Sequence, residues 1–363
     1  MNNHAEKKNY LGLLIAICVA AIAVADYFAV TLLIIPSNNY NAAVKLMESG
    51  KYEEAIATFE ELDGYKDSAD KIEECNAAIL EIDYNNAIAL MDEGKYEEAI
   101  SSFEALNGYK DSADKITECS YGIAVDLKSA GKYEEAIEAF EALNGYNDCT
   151  AQIEKCEQLI LLANAQVGDY VYFGAYEQDN SSFNGKENIE WLVLDRYDNK
   201  IFVISKYALD AQPYNENGGE FSSGKSTLRS WLNNDFYDAA FSDEDKLLII
   251  QANITDDKNG TTSDTGTSDN VFLLSITEAE KYFSSDDKRQ CVPTDYAIAQ
   301  GAYTNFQYTV DGKPACWWWL RSPSYARIDY HGSVGSRRIF YGDEALSGGN
   351  GCVRPALWID VGA

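Results

Sequence analysis

The heptapeptide GKYEEAI occupies residues 50–56 and recurs without change at residues 94–100 and 131–137. In each copy a phenylalanine follows three residues after the isoleucine, and a tyrosine lies ten residues before the glycine. Identical recurrence at this spacing is typical of repeat architectures. Because the apolar residues within a copy follow a helical period, each unit is predicted to be two helices joined at the glycine, with Tyr, Ala, Ile and Phe on one buried stripe.

The segments between the copies indicate how the units are joined. GYKDSADKI stands at residues 64–72 and 108–116, with the variant GYNDCTAQI at 145–153. We expect the glycine to end one helix and Asp-Ser to cap the next. The copies lie 44 and then 37 residues apart. The difference is about two turns of 3.6 residues each, so one helix should be longer while the same face stays buried.

The G-x-Y-x-x-A-I-x-x-F pattern resembles the tetratricopeptide repeat over roughly residues 38–163, and it departs from that repeat in its period and in lacking the terminal proline. The resemblance implies an all-α stack whose concave groove binds a protein partner. The exposed residues are mostly Glu, Asp and Lys, and a solvated acidic face needs no ligand. A spacer and a peptide-binding scaffold therefore both remain open for this region.

An apolar segment, LGLLIAICVAAIAVADYFAVTLLII, fills residues 11–35 and is long enough to cross a hydrocarbon core of about 30 Å. Pro36 is expected to end it. Lys7 and Lys8 precede the segment, so the positive-inside rule places the N-terminus in the cytoplasm and the rest of the chain outside. Residues 23–25, Ala-Val-Ala, also fit a signal-peptide cleavage site. The length of the apolar run favours an uncleaved anchor, and both interpretations export the remainder of the chain.

The 29 basic and 59 acidic residues give the 363-residue chain a net charge of −30, which opposes binding to nucleic acid. The chain is predicted to be multidomain. It would comprise a cytoplasmic tail at 1–10, a transmembrane helix at 11–36, tetratricopeptide-like all-α repeats at 37–163 and an α+β domain at 164–363.

Alternating runs predict strands in the last part of the chain, and helical spacing predicts two helices. The strands are expected in DYVYFGAYE (169–177), IEWLVLD (189–195), KIFVISK (200–206), WWWL (317–320) and ALWIDV (356–361), and the helices at 226–241 and 275–283, the second with a threonine cap. Alternation would point Trp317 and Trp319 one way and Trp318 the other. We expect all three in the core rather than stacked on sugar.

The order VGDYVYFGAYEQ, IEWLVLD, STLRSWLN, FLLSITEAEKYF, PTDYAIAQG, WWWLRSPS, GCVRPALWI resembles a bacterial surface domain of unknown function from gut Firmicutes, over nearly all of residues 167–361. The ending also resembles the close of C-type-lectin-like domains of the formylglycine-generating-enzyme type, through Trp318, Leu320, Arg321, Gly351, Arg354 and Pro355. The resemblance implies a C-type-lectin-like fold. We expect Arg321 and Arg354 to form structural ion pairs rather than contact a ligand.

In such lectin-like domains the stretch between the last two core strands is an exposed binding face, here residues 323–351. The resemblance thus implies these ligand-binding candidates: Tyr325, Arg327, Asp329, Tyr330, His331, Arg337, Arg338 and Tyr341. Tyrosine and arginine are common at recognition surfaces because they offer large contact area and versatile hydrogen bonds. A glycine-rich hairpin whose aromatics cover the core is the alternative. The expected function is that of a membrane-anchored protein that recognises an extracellular protein or glycan.

Catalysis has little support in the sequence. His4 and His331 are the two histidines, and neither GxSxG nor HExxH occurs. A formylglycine-generating-type oxidase would need paired cysteines, for which Cys316 and Cys352 are the candidates, and these two could also form a disulfide. We therefore expect no enzyme, no catalytic residue and no cofactor, with an extracellular oxidase as the alternative.

Two loops carry weak motifs. Residues 219–226 fit G-x4-G-K-S, but no apolar strand directly precedes them, so nucleotide binding is not expected. Residues 256–270 are rich in oxygen ligands, yet they break the spacing of a calcium-binding EF-hand. Both are interpreted as surface loops, and any metal site stays open.

Overall fold

The computed structural model describes residues 3–181, 183–216, 226–254, 266–322, 327–334 and 350–362. The chain forms two compact units, Met1–Val125 and Asp126–Ala363. The division falls inside a helix, whereas the sequence-based boundary at 163/164 marks the change from helices to strands. Each unit is described by itself.

A long helical segment opens the first unit. Helix α1 (Asn3–Ala29) passes through a π-helical turn (Val30–Ile34) directly into α2 (Ile35–Glu48). By length and composition, the span Leu13–Glu48 could cross a membrane or serve as a signal sequence. The prediction that Pro36 ends the helix is wrong. Pro36 lies in the first turn of α2, just after the wider π turn, where a missing backbone N–H and a fixed φ are tolerated.

Four further helices follow α2 among the described residues of this unit. They are α3 (Tyr52–Glu60), α4 (Ser68–Asp92), α5 (Tyr96–Ala105) and α6 (Ser112–Ser129). From α2 to α5, each helix packs against the next one along the chain. Helix α4 has 25 residues and α6 has 18, so the unequal spacing of the repeats is taken up by the length of a helix, as predicted.

The predicted buried stripe is confirmed in the two repeats of this unit. Phe59 and Phe103 are 1% and 0% exposed, and the alanine four residues before each is fully buried. The rings of Tyr40 and Tyr84 meet these phenylalanines edge to face, with centroids 5.7 and 5.8 Å apart. Equivalent residues therefore make equivalent contacts in successive repeats.

The predicted capping role is wrong for Asp67. Asp67 occupies the N-cap position of α4, but its side chain makes no capping hydrogen bond. Its carboxylate instead accepts a 2.5 Å hydrogen bond from the Tyr40 hydroxyl, and Asp111 accepts one of the same length from Tyr84. These hydrogen bonds hold the pKa of both carboxyls below the usual value. The recurring spacing of the motif therefore serves a contact between helices.

The second unit begins with helices and continues as an α+β fold. Its helices beyond α6 are α7 (Tyr133–Ala142), α8 (Cys149–Asn164), α9 (Thr227–Trp231), α10 (Tyr237–Ala240), α11 (Asp243–Leu248), α12 (Ile276–Tyr282), α13 (Asp286–Arg289) and α14 (Asp295–Ala299), with a π-helical turn (Leu232–Phe236) between α9 and α10. Its strands are β1 (Tyr170–Tyr176), β2 (Glu187–Tyr197), β3 (Lys200–Ser205), β4 (Asp210–Gln212), β5 (Ile249–Ile250), β6 (Ala252–Ile254), β7 (Thr267–Asp269), β8 (Thr304–Val310), β9 (Lys313–Cys316), β10 (Trp318–Trp319), β11 (Arg327–Ile328), β12 (Gly351–Val353) and β13 (Ala356–Asp360).

Within the described residues the larger sheet has the order β1-β2-β3-β13-β5 and is antiparallel throughout. A second sheet has the order β11-β10-β12-β4, with β10 and β12 parallel. Two further ribbons pair β6 with β7 and β8 with β9. The α+β prediction is confirmed at this level, and β13, near the chain end, lies between β3 and β5 in the large sheet.

The tryptophan run lies in the core, as predicted. Trp318 and Trp319 are fully buried and Trp317 is 7% exposed. Trp317 and Trp319 belong to one cluster of buried residues and Trp318 to another, so the expected alternation of sides is confirmed. The run therefore joins two cores of the unit rather than presenting rings to solvent.

Helix α8 is fastened to the sheet region by polar contacts. Lys155 forms a 2.5 Å ion pair with the buried carboxylate of Asp245, and the Gln158 amide donates to the Tyr172 carbonyl at 2.8 Å. Arg196 on β2 donates to two carbonyls at the C-terminal end of α8. A cation at the C-terminal end of a helix also interacts favourably with the helix dipole. The last helical hairpin is thus part of the second compact unit.

Candidate functional site

The structure describes half of the predicted binding face. Arg327, Asp329, Tyr330 and His331 lie on β11 and in the turn after it. The other candidates lie outside the described residues: Tyr325, Arg337, Arg338 and Tyr341. The geometry of the face is therefore built from residues 327–334 and their neighbours.

Arg327 is held between a buried ring and a carboxylate. Its backbone pairs with Trp319 on the neighbouring strand. Its guanidinium carbon lies 5.1 Å from the centre of the Trp317 ring, and its Nε lies 3.1 Å from Asp329 Oδ1. Stacking on tryptophan and an ion pair both restrict the side chain. Arg327 is therefore preorganised, with a quarter of its side chain exposed.

The turn after β11 is fixed by a glycine. Gly332 has φ +82°, and its backbone N–H donates to the Asp329 carbonyl at 2.8 Å. A Cβ at Gly332 would collide with the Asp286 carbonyl oxygen. The Gly332 carbonyl in turn accepts a 2.8 Å hydrogen bond from buried Arg289. Only glycine satisfies both the backbone conformation and the close approach, so the turn has one position against α13.

Aromatic residues in the β8–β9 hairpin and directly before it extend the predicted face. The Tyr330 ring packs against Tyr303 at 5.8 Å, and the His331 ring packs against Tyr308 at 5.5 Å. Tyr303 is 64% exposed and Phe306 is 81% exposed. We call Tyr303, Phe306, Tyr308, Arg327, Tyr330 and His331 the aromatic face. Tyr303, Phe306 and Tyr308 were not predicted from the sequence. The presence of three aromatic residues among the otherwise polar residues 303–308 was a usable signal.

The Tyr330 hydroxyl stays neutral at ordinary pH. Burial raises the pKa of Tyr330 to about 12, ahead of smaller opposing and supporting effects of nearby charges. The hydroxyl is therefore protonated at neutral pH and can both donate and accept hydrogen bonds. Together with the Arg327 guanidinium and the His331 ring, it gives the aromatic face directional polar groups between exposed rings.

A serine, a histidine and an aspartate meet in this turn without forming a catalytic relay. Ser333 Oγ lies 3.4 Å from His331 Nε2, and Asp329 Oδ2 lies 4.0 Å from the same nitrogen. A hydrolase triad uses the two ring nitrogens separately, one toward the nucleophile and one toward the carboxylate. Since both neighbours here approach Nε2, the trio suits ligand contact better than proton transfer.

The cysteine candidates lie together in the interior. Cys316 and Cys352 are free and fully buried, and Cys291 is a third free thiol beside Cys316. Burial raises the pKa of Cys291 and of Cys316 well above the usual thiol value. Because the thiolate is the nucleophile, these protonated and enclosed thiols have little intrinsic reactivity.

The two arginines of the ending motifs behave differently. Arg321 Nη1 lies 2.5 Å from Glu278 Oε2, which confirms the predicted ion pair. Glu278 also completes a capping box with Ser275, so Ser275 caps α12 rather than the predicted Thr277. For Arg354 the ion-pair prediction is wrong: among the described residues no carboxylate lies within 4.0 Å of it.

Two loops with weak motifs fall largely outside the described residues. Of residues 219–226, the structure describes Ser226, which caps α9 through a hydrogen bond from the Arg229 N–H. Residues 256–265 of the acidic loop are not described. Among the residues that the structure describes, oxygen atoms of Glu177, Asp179 and Glu187 lie within 4.8 Å of one another. These partly exposed carboxylates could hold a cation but carry no further sign of one.

Residues 198–361 match the family model described as "Domain of unknown function (DUF6273)". The match confirms that part of the resemblance which pointed to a domain of unknown function. No curated protein matches the chain, and no solved structure does.

Proposed function

We propose that the protein is a membrane-anchored recognition protein whose C-terminal α+β domain binds an extracellular protein or glycan through the aromatic face. The observation that carries the proposal is the packing of the exposed Tyr303 ring against Tyr330, which lies in the turn that follows the fixed Arg327. Exposure of large apolar rings to water is unfavourable, and a bound partner would cover them. Rigid aromatic and arginine side chains are the usual anchors of recognition surfaces.

Preorganisation further supports a binding role. Arg327 is restricted by Trp317 and Asp329, and the turn that carries Tyr330 and His331 is locked by Gly332. A ligand that meets already ordered side chains loses less conformational entropy on binding. Such rigidity has no clear purpose for a surface that merely covers a core.

The same proposal assigns a place to the other segments. The apolar helix is an uncleaved anchor, with its N-terminus in the cytoplasm because Lys7 and Lys8 precede it. The helical repeats are tetratricopeptide-like and act as an acidic spacer. The last 200 residues form a C-type-lectin-like domain, a proposal that rests on the WWWLRSP and GCVRPALW motifs.

The experiment uses the full-length chain in detergent or nanodiscs, screened against glycan arrays and extracellular proteins. Phe306→Ala is the main variant because the ring is 81% exposed, and Phe183→Ala is the control because that ring is 97% exposed outside the face. Loss of an exposed aromatic anchor should weaken binding about tenfold or more. Equal binding by wild type, Phe306→Ala and Phe183→Ala would contradict the proposal.

A further inference from the structure

We infer that a cavity beside Arg354 is a second binding site, which takes a small organic anion the size of a sugar acid. The cavity has a volume of about 470 Å³ and lies among β1, β2, the residues directly after β3, the α12–α13 segment and the β8–β9 hairpin. It shares no residue with the aromatic face. The inference therefore stands apart from the proposed function.

Arg354 is a buried cation with an incomplete set of partners. It is 4% exposed, and its Nε donates to the Ser205 carbonyl at 2.8 Å. Its Nη1 is buried without a hydrogen-bond partner. The guanidinium carbon lies 5.2 Å from the ring centres of both Phe283 and Trp318. Guanidinium is always protonated, and enclosing its charge without a counter-ion is costly.

The other buried arginines of the described chain show what Arg354 lacks. Arg289 and Arg321 are 8% and 7% exposed, close to the value for Arg354. Each has a carboxylate partner, Asp286 for the first and Glu278 for the second. Among the described residues, each buried arginine thus has an acid beside it except Arg354, which lines a cavity. An anion bound in the cavity would supply the missing counter-charge.

The walls of the cavity carry further positive charge. Lys206, Lys288 and Lys313 line it together with Arg354. Within the described ranges, Lys288 and Lys313 have no ion-pair partner, whereas Lys206 pairs with Glu190 at 2.7 Å. Two acids, Asp287 and Asp311, also line the cavity. In a chain of net charge −30 this excess of cations is a local exception that favours an anion.

Aromatic rings in the cavity wall indicate that the ligand has an uncharged organic part as well as a charged group. Tyr170, Tyr207 and Tyr282 line the cavity. Lys206 Nζ lies 5.0 and 5.2 Å from the ring centres of Tyr170 and Tyr207, so the cation is held between two rings. Sites for small organic ligands combine such aromatic walls with a few placed charges, and their volumes are usually about 300–1,000 Å³. A sugar acid matches the size and both features.

The test measures binding of sodium glucuronate, neutral glucose and inorganic phosphate to the full-length chain by calorimetry at constant ionic strength. We expect saturable binding of glucuronate and none of glucose. Binding of glucose equal to that of glucuronate, binding of phosphate alone, or binding of none of the three at millimolar concentration would overturn the inference.

Variants locate the site. Lys288→Gln combined with Lys313→Gln removes two exposed cations that make no described ion pair, so folding should be unaffected; the affinity for glucuronate should fall about tenfold or more. Lys200→Gln, an exposed lysine outside the cavity, is the control and should bind like wild type. Arg354→Met should abolish binding, with thermal unfolding checked in parallel. Unchanged affinity in the double lysine variant would overturn the inference, whereas Phe306→Ala bears only on the aromatic face.

Discussion

The guanidinium carbon of Arg327 lies 5.1 Å from the centre of the Trp317 ring, so a member of the aromatic face rests directly on the core. Trp317 is 7% exposed and packs with Trp319, its ring centre 4.8 Å away. Asp329 Oδ1 also lies 3.1 Å from Arg327 Nε. Changes at Asp329 should therefore alter recognition more than they alter folding.

Asp329→Ala should leave Arg327 stacked but less restricted. The ion pair is about a quarter exposed on each side, and partly exposed pairs contribute about 1 kcal/mol or less to the free energy of unfolding. We expect a small loss in thermal stability, measured by calorimetry, and a larger loss in affinity for the ligand found in the screen. Glu177→Ala, an acid outside the face, is the control. A large drop in stability with unchanged affinity would contradict a positioning role for Asp329.

Gly332→Ala should disturb the turn that carries Tyr330 and His331. The alanine would have to adopt a positive φ, and its Cβ would collide with the Asp286 carbonyl. Gly312→Ala is the matched control, since Gly312 has φ +77° but open space around it. The control should lose about 1 kcal/mol of unfolding free energy for the backbone conformation. Gly332→Ala should lose about 2–4 kcal/mol, because a steric clash is added. Equal losses of unfolding free energy for the two variants in denaturant titrations would show that α13 moves to make room for the Cβ.

Tyr40→Phe should weaken the first repeat in a way that depends on pH. The Tyr40 hydrogen bond holds the pKa of Asp67 below its unfolded value, so its contribution is present above that unfolded pKa and is lost as pH falls through the folded pKa. We expect the variant to be less stable than wild type at neutral pH and the difference to shrink in acid. Denaturant unfolding followed by circular dichroism measures this. A difference that is the same at both pH values would argue against the Tyr40–Asp67 bond as its cause.

The repeats were predictable because their signals are local. Identical copies and helical spacing indicated the buried stripe at Phe59 and Phe103, and the unequal period indicated the longer α4. The errors arise where a residue has a choice of partners. Asp67 can cap its own helix or accept from Tyr40, and only the packing of helices decides between them. Pro36 could end a helix, but the π turn before it allows the helix to continue.

The candidate site was predictable only in part. The resemblance indicated residues 323–351, and four of its candidates lie together on β11 and in the turn after it. The contribution of Tyr303 and Tyr308 was missed because they approach Tyr330 and His331 only after the chain folds. Sequence spacing carries no information on such long-range contacts. The same limit explains the wrong ion-pair prediction for Arg354, because only the folded structure shows which side chains surround its guanidinium.

Asp210→Asn should change the pH dependence of stability through a buried carboxyl. Asp210 is 2% exposed and accepts a 2.6 Å hydrogen bond from Tyr176. Burial raises its pKa despite that hydrogen bond, so the folded state binds the proton more tightly than the unfolded state does. The stability from this proton is present below the unfolded pKa and is lost as pH rises through the folded pKa.

Asparagine carries no charge at either pH, so the variant should gain stability relative to wild type as pH rises from about 4 toward neutrality. Denaturant unfolding at several pH values measures the difference, and Asp198→Asn, an exposed turn residue, is the control and should show no such trend. A difference between Asp210→Asn and wild type that stays constant with pH would mean that Asp210 ionises as easily in the fold as in water. In that case water would reach the Asp210 carboxyl beside Tyr176.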